Sequence, residues 1–199
     1  VIANTTVCGR AIGSFRDAGM RVVALIHELP GLIANYGLQD ALTRLADASD
    51  HVVVSSHPVR EGVLSILGHA AHVESKLVLQ PQGLYTRNRY RGAFDGTDAR
   101  VRLRDRMGLP HHVAIVLAVG FADMRKGVDL LAQAAIRACA HRDDLYFIWV
   151  GQRDSEVCAG VDAVLENAGI VDHFRFVGPD FDTDDYFAGA DVYALCSRE

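Results

Sequence analysis

The sequence predicts an α/β protein of two Rossmann-like units, each built on a parallel sheet. Three observations carry that prediction. Short β-branched runs alternate with segments of helical spacing along nearly the whole chain. The alternation stops once, across an arginine-rich stretch, and then resumes. The residues just after the runs, where an open parallel sheet places its ligand, include glycine, histidine and serine.

Residues 21–26 (RVVALI) and 51–55 (HVVVS) read as the first two strands, buried in the manner of a parallel sheet. Between them Leu38, Leu42, Leu45 and Ala46 recur at three and four residues, giving a helix with one apolar face. A third run, 76–79, ends at Pro81, Gln82 and Gly83, so the first unit reads strand, helix, strand, helix, strand. From Leu84 to about Met107 the hydrophobic density falls. There Arg87, Arg89, Arg91, Arg100, Arg102, Arg104 and Arg106 crowd around Gly92 and Gly96, a break in composition. We therefore assign 1–84 to a first unit, 85–107 to an inter-domain connection and 108–199 to a second unit. In the second unit 113–119, 145–150, 174–177 and 191–195 read as strands, and 128–140, 156–168 and 183–188 as helices. Right-handed crossovers then give a parallel sheet with helices on both faces. The chain begins at Val1 rather than Met and stops on an apolar run, so truncation at both ends is expected.

The composition narrows the function classes. With 199 residues, 50% hydrophobic and 23% charged, the chain can bury a sizeable core. Lys and Arg number 20 against 25 Asp and Glu, a net charge of -5 that argues against nucleic acid. Asp95, Asp98 and Asp105 dilute the arginine cluster as well. No apolar run approaches the roughly 18 to 20 residues of a membrane-spanning helix. Cys8, Cys139, Cys158 and Cys196 are scattered without C-x-x-C spacing, which suits a reduced, cytoplasmic protein, with peripheral contact at the inner face of a membrane left open.

The strand ends supply the candidate site residues. His27 and Glu28 follow one strand, Ser55 and Ser56 the next, and Gly120, Gly151, Gly178 and Ser197 follow the four strands of the second unit. Glycine lets a backbone approach a ligand, and a helix N-terminus offers N–H groups and a positive dipole end to phosphate. A nucleoside diphosphate fits that combination, although any single glycine also fits a plain tight turn. The most specific stretch is GFADMRKGVDLL, where Arg125 and Lys126 precede Gly127 at the mouth of a helix. It lacks both the G-x-x-x-x-G-K-[ST] loop and G-x-G-x-x-G.

Seven segments in order, IHELP, VVVSSHPVRE, PQGL, AVGFADMRKGVDLL, FIWVG, FRFVG and ADVYALCSRE, resemble glycosyltransferase family 4, retaining enzymes of the GT-B fold. The resemblance implies transfer of a hexosyl group from a nucleotide-diphosphate sugar to a glycan or lipid-linked acceptor, in polysaccharide or glycoconjugate biosynthesis. It implies that Lys126 contacts the diphosphate, with Gly120, Gly151, Val177 and Gly178 around the donor, and that His27 lies near the transferred sugar. Ser197 leads to a donor-holding glutamate, which falls on Glu199 or the residue after it. Glu28 and Ser56 fall on the acceptor side. Phe121 stands where many members carry Arg, and Arg125 is the candidate to supply that charge. His27 beside Glu28 could also serve as a general base, which would invert configuration. Asp182, Thr183 and Asp184 spell D-x-D but read as a helix N-cap with first-turn acids. We expect no metal and no cofactor. The alternatives are a sugar-nucleotide epimerase of similar fold and a non-catalytic partner protein.

Overall fold

The computed structural model describes residues 1–83 and 96–198. These form two units, one on each side of the intervening segment. The first runs β1 (Ile2–Asn4), α1 (Ile12–Asp17), β2 (Val23–Ile26), α2 (Pro30–Asn35), α3 (Gln39–Ala48), β3 (His51–Val54), α4 (His57–Ile66), α5 (Ala71–Glu74) and β4 (Leu77–Leu79). Its four strands are parallel, in the order β1-β2-β3-β4. The apolar face expected of the first helix is the buried face of α3, made by Ala41, Leu42, Leu45 and Ala46. Strand β1 was not foreseen, because three residues carry no readable period.

Alternate residues of β2 and β3 differ in burial. Ala24, Ile26, Val52 and Val54 are fully enclosed, whereas Val23, Leu25 and Val53 are half-buried. A sheet whose strands follow in sequence order steps the same way at every right-handed crossover, which stacks the helices on one face.

The second unit runs α6 (Gly96–Met107), β5 (Ala114–Val119), α7 (Val128–Cys139), β6 (Leu145–Val150), α8 (Ser155–Asn167), β7 (Phe174–Gly178), α9 (Asp184–Gly189) and β8 (Val192–Tyr193). All pairings are parallel, in the order β7-β6-β5-β8. Here both faces are covered, as the sequence predicts. Phe147 and Trp149 of β6 join the core under α7 and α8, while Ile148 and Val150 join Leu103 of α6 and Tyr186 of α9. The fold class is the expected one, two Rossmann-like α/β units with parallel sheets. Among the described residues no helix is long and apolar enough to cross a membrane.

The connection assigned to 85–107 differs in its second part. Residues 85–95 lie outside the described residues, and from Gly96 onward the chain is α6, which belongs to the second unit. The reason is Arg104, which in sequence is one more arginine of the cluster. Only 1% exposed, it donates to the Val113 carbonyl at 3.0 and 2.7 Å, to the Arg100 and Gly189 carbonyls at 3.0 Å each, and to Asp191 at 2.5 Å. Asp191 also accepts from the Ile115 amide at 2.8 Å. One buried guanidinium thus joins α6 to the entries of β5 and β8 and the exit of α9.

Arg104→Leu takes that donor from the Val113 and Gly189 carbonyls and removes the buried partner of Asp191, which keeps Arg100 and the Ile115 amide. The expected cost is about 3–5 kcal/mol, as for breaking a buried ion pair, measured by urea denaturation; a loss below about 1 kcal/mol would contradict this assignment.

Candidate functional site

In the second unit the strand order reverses at β5. Successive crossovers carry the chain from β5 through β6 to β7, and the next brings it back to the other side of β5 as β8. Such a reversal marks the carboxyl edge where an open parallel sheet takes its ligand, and here the segments leaving β5 and β8 meet at it, the Arg198 amide donating to the Arg125 carbonyl at 2.8 Å. Four segments meet that edge: the loop 120–127, Gly151, the end of β7, and Cys196 to Arg198.

Backbone packs on backbone there. A Cβ on Gly151 would sit 1.9 Å from the Gly120 carbonyl oxygen, and a Cβ on Gly127 would sit 2.1 Å from the Cys196 carbonyl oxygen. Gly151 and Gly127 have φ of 146° and 76°, conformations that other residues rarely adopt. Trp149 Nε1 donates to the Gly120 carbonyl at 2.8 Å, fixing the exit of β5 from below. Beyond it the loop stays in register with its neighbour, since the Ala122 amide donates to the Gln152 carbonyl at 2.8 Å. Val177 is the extra residue of an irregularity, because Trp149 pairs with Phe176 but Val150 with Gly178. Gly178 in turn accepts from the Gly151 amide at 2.8 Å.

The cations behave differently from one another. Arg125 is exposed and lies 3.9 Å from Asp123. Asp123 also accepts from the Lys126 amide at 2.7 Å, which turns the loop into the helix. The Lys126 stem passes over Gly120, its Cε 3.8 Å from where a Cβ would stand. Among the described residues its ammonium has no hydrogen-bond or ion-pair partner. Gly127 is the left-handed N-cap of the twelve-residue helix α7 and makes no side-chain capping bond, while the Asp129 carboxylate draws on the Asp129 and Leu130 amides of the first turn. Phe121, beside Gly120, is 41% exposed. Ser197 Oγ is enclosed and has no hydrogen-bond partner among the described residues. Glu199 lies outside the described residues.

Arg198 was read only as part of a motif. It donates to Asp129 through both Nη atoms, at 2.9 and 2.7 Å, and to the Met124 carbonyl, while its amide donates to the Arg125 carbonyl at 2.8 Å. The Arg198 guanidinium holds the Asp129 carboxyl below its ordinary value of 3.8.

The first unit has a cavity of about 390 Å³ at the same edge of its own sheet, lined by Asn4, His27, Ser55, Gln80 and Gln82 among others. Gln82 Nε2 lies 2.8 Å from His27 Nδ1, and His27 Nε2 lies 2.7 Å from Asn4 Oδ1. An amide nitrogen only donates, so Nδ1 accepts and Nε2 carries the proton that Asn4 receives. With both ring nitrogens engaged, His27 is oriented for a neutral contact. To act as a base it would first have to exchange a partner.

Glu28 and Ser56 turn away from this cavity. The Glu28 carboxylate accepts from the Thr5 hydroxyl, the Thr6 amide and hydroxyl at 3.0 Å each, and the His27 amide at 3.1 Å. It thereby holds the strand-to-turn corner at Thr5, whose φ of 139° and ψ of 151° are strained for a side-chain-bearing residue. Burial raises the Glu28 carboxyl, but the hydrogen bonds from Thr5, Thr6 and the Glu28 and His27 amides outweigh it and leave it below 4.5. Ser56 caps α4 by accepting from the Val59 amide at 3.5 Å. Ser55, the other strand-end serine that the sequence offers, lines the cavity instead, with Asn4 and Gln82, which the sequence does not single out as site residues. Thr183 is the N-cap residue of α9 but makes no side-chain capping bond, and Asp180 rather than Thr183 receives the Asp182 amide, at 2.9 Å.

No protein-family profile matches the chain, and no curated protein does. Solved structures do. A crystal structure of HepE from Anabaena in complex with UDP superposes over 96% of this chain and 50% of that one, with a TM-score of 0.75 and 15% identity. The glycosyltransferase WaaG, described as involved in lipopolysaccharide biosynthesis, matches over 94% of this chain and 56% of its own, with a TM-score of 0.66 and 17% identity. The catalytic domain of starch synthase IV from Arabidopsis thaliana, bound to ADP and acarbose, covers 99% and 51%, with a TM-score of 0.66 and 13% identity. The chain therefore spans about half the length of the structures it resembles, and at these identities the likeness is one of fold.

Two substitutions check this geometry. Gly127→Ala is expected to lower stability by more than about 1 kcal/mol, and to move Cys196, seen as chemical-shift changes confined to 123–129 and 194–198. Glu28→Gln tests the corner. A depressed carboxyl stabilises the fold above its ordinary pKa and loses that contribution as pH falls through the lowered one. The variant should be less stable at neutral pH and converge with the wild type as pH falls through that lowered value. A gap that persists in acid would refute the role.

Proposed function

We propose that the chain is part of a nucleotide-sugar-dependent glycosyltransferase, with the donor held by the second unit and the acceptor by the first. The observation that carries this reading is Lys126. Its ammonium has no partner among the described residues, its stem lies over Gly120, and it adjoins the N-terminus of α7. An uncommitted cation beside a positive dipole end is an arrangement suited to a diphosphate. The UDP of HepE and the ADP of starch synthase IV are nucleoside diphosphates, which supports that ligand class.

In this reading Arg125 and Lys126 bind the diphosphate, and Gly120, Phe121 and Gly151 line its approach. Val177 and Gly178 flank the base, Ser197 and Glu199 approach the sugar, and His27 contacts the transferred hexosyl group. Glu28 serves the acceptor side by fixing the His27 corner, and Ser56 by capping the helix behind Ser55. In the retaining reaction the bond between the anomeric carbon and the diphosphate oxygen breaks. The acceptor oxygen bonds the same face of that carbon, and its proton passes to the departing diphosphate. Lys126 and the helix dipole stabilise the charge that builds there. The reading includes no metal. The acceptor is a glycan or a lipid-linked sugar in polysaccharide or glycoconjugate assembly, met in the cytoplasm or at the inner face of a membrane.

Calorimetric titration with UDP, GDP and ADP tests the donor site. One of the three should bind, and Lys126→Ala should weaken it by about 1.5–3 kcal/mol, the range for a charge-assisted hydrogen bond. Unchanged affinity, or no binding by the folded chain, would overturn the assignment.

A further inference from the structure

We infer that Arg198 is a positioning residue, one that holds the loop carrying Arg125 and Lys126 in its diphosphate-binding shape without touching the diphosphate. The inference rests on the donor site proposed above and adds to it a part that the resemblance does not supply.

A basic residue at the carboxyl end of a strand, one position from Ser197, would ordinarily be taken for a phosphate ligand. The geometry points elsewhere. Nη1 is directed to the Met124 carbonyl and Asp129, and Nη2 to Asp129, so the fork is committed to the loop and the first turn of α7. Its charge is matched by Asp129 in a bidentate pair. The backbone follows the same course, since the Arg198 amide donates to the Arg125 carbonyl at 2.8 Å. These bonds bracket Arg125 and Lys126: Met124 precedes them, Arg125 is itself an acceptor, and Asp129 lies three residues beyond Lys126.

Other anchors hold the start of the loop and its turn, where the Ala122 amide donates to the Gln152 carbonyl at 2.8 Å and the Gly127 amide to the Asp123 carbonyl at 3.1 Å. The Asp123 carboxylate takes the Lys126 amide, and Gly127 touches the Cys196 carbonyl through a gap that admits no Cβ. Each of these fixes one point. Arg198 alone ties both ends of the cationic pair to the segment after β8, across 69 residues of sequence from Asp129. It also draws Asp129 into the pair, so that carboxylate is neutralised beside the diphosphate site.

The test is calorimetry with whichever of UDP, GDP or ADP the wild-type chain binds, on Arg198→Ala, Arg198→Lys, Asp129→Asn, the Arg198→Ala/Asp129→Asn double variant, and Lys126→Ala alone and combined with Arg198→Ala. Folding is checked by circular dichroism. Arg198→Ala and Asp129→Asn should each weaken binding about tenfold, with the double variant no weaker than either, because both remove one interaction. Lys126→Ala should cost less in the Arg198→Ala background than in the wild type. Arg198→Lys, which keeps the charge but not the fork, should resemble Arg198→Ala. Full affinity in Arg198→Lys, or unchanged or tighter binding in Asp129→Asn, would show that Arg198 binds the ligand itself and would overturn the inference. If Arg198→Ala does not fold, Asp129→Asn decides. A wild type that responds to Lys126→Ala but not to Arg198→Ala or Asp129→Asn sinks this inference alone. A wild type indifferent to Lys126→Ala, or without nucleotide binding, sinks the donor site and this inference with it.

Discussion

Strand β5 must satisfy two neighbours at once, pairing with β6 over its whole length and with β8 at Val116 and Leu117. That constraint decides most of what surrounds it. Because β6 and β8 lie on opposite sides, the chain segments that leave them part company at the carboxyl edge, and the gap they leave is filled by backbone. Gly120 meets Gly151, and Gly127 meets Cys196, at separations that exclude any side chain. The site is thus shaped by main-chain packing, which is stiff, and side chains are left to supply charge.

The cations of the second unit divide that work. Arg104 is sealed inside and spends its donors on carbonyls and Asp191. Arg198 is at the surface but wholly engaged with Asp129 and the loop. Lys126 stands among them without an ion-pair partner in the described residues. A buried or paired charge has its field already answered by its partner, so only an unanswered one adds much when a second charge arrives. Among these three residues of the same sign, the folded chain therefore has two that build and one that is available.

Local signals made the fold legible. The β-branched runs, the i, i+3, i+4 face of α3 and the recurring strand-end glycines each depend on neighbours within a few residues. What escaped reading depends on distant ones. Arg104 resembles a loop arginine until Gly189 and Asp191 are brought to it from 85 and 87 residues away. Asn4 and Gln82 are ordinary polar residues until His27 joins them. Glu28 and Ser56 stand at the right strand ends, but backbone amides that needed acceptors claimed their side chains. Strand β1 is too short for its period to register, and its pairing with β2 is what makes it a strand.

The row of hydrogen bonds from Gln82 through His27 to Asn4 has a direction. Each group gives its proton the same way along the line, amide to imidazole to amide oxygen. Reversing it would take two amide flips and a shift of the imidazole proton together, since any one change alone sets two donors or two acceptors face to face. The three side chains therefore act as a single polar row across the ends of β1, β2 and β4, which can reverse only as a whole. Whatever lies along that row meets a single dipole, and reads the handedness of the fold as an ordering of donors and acceptors.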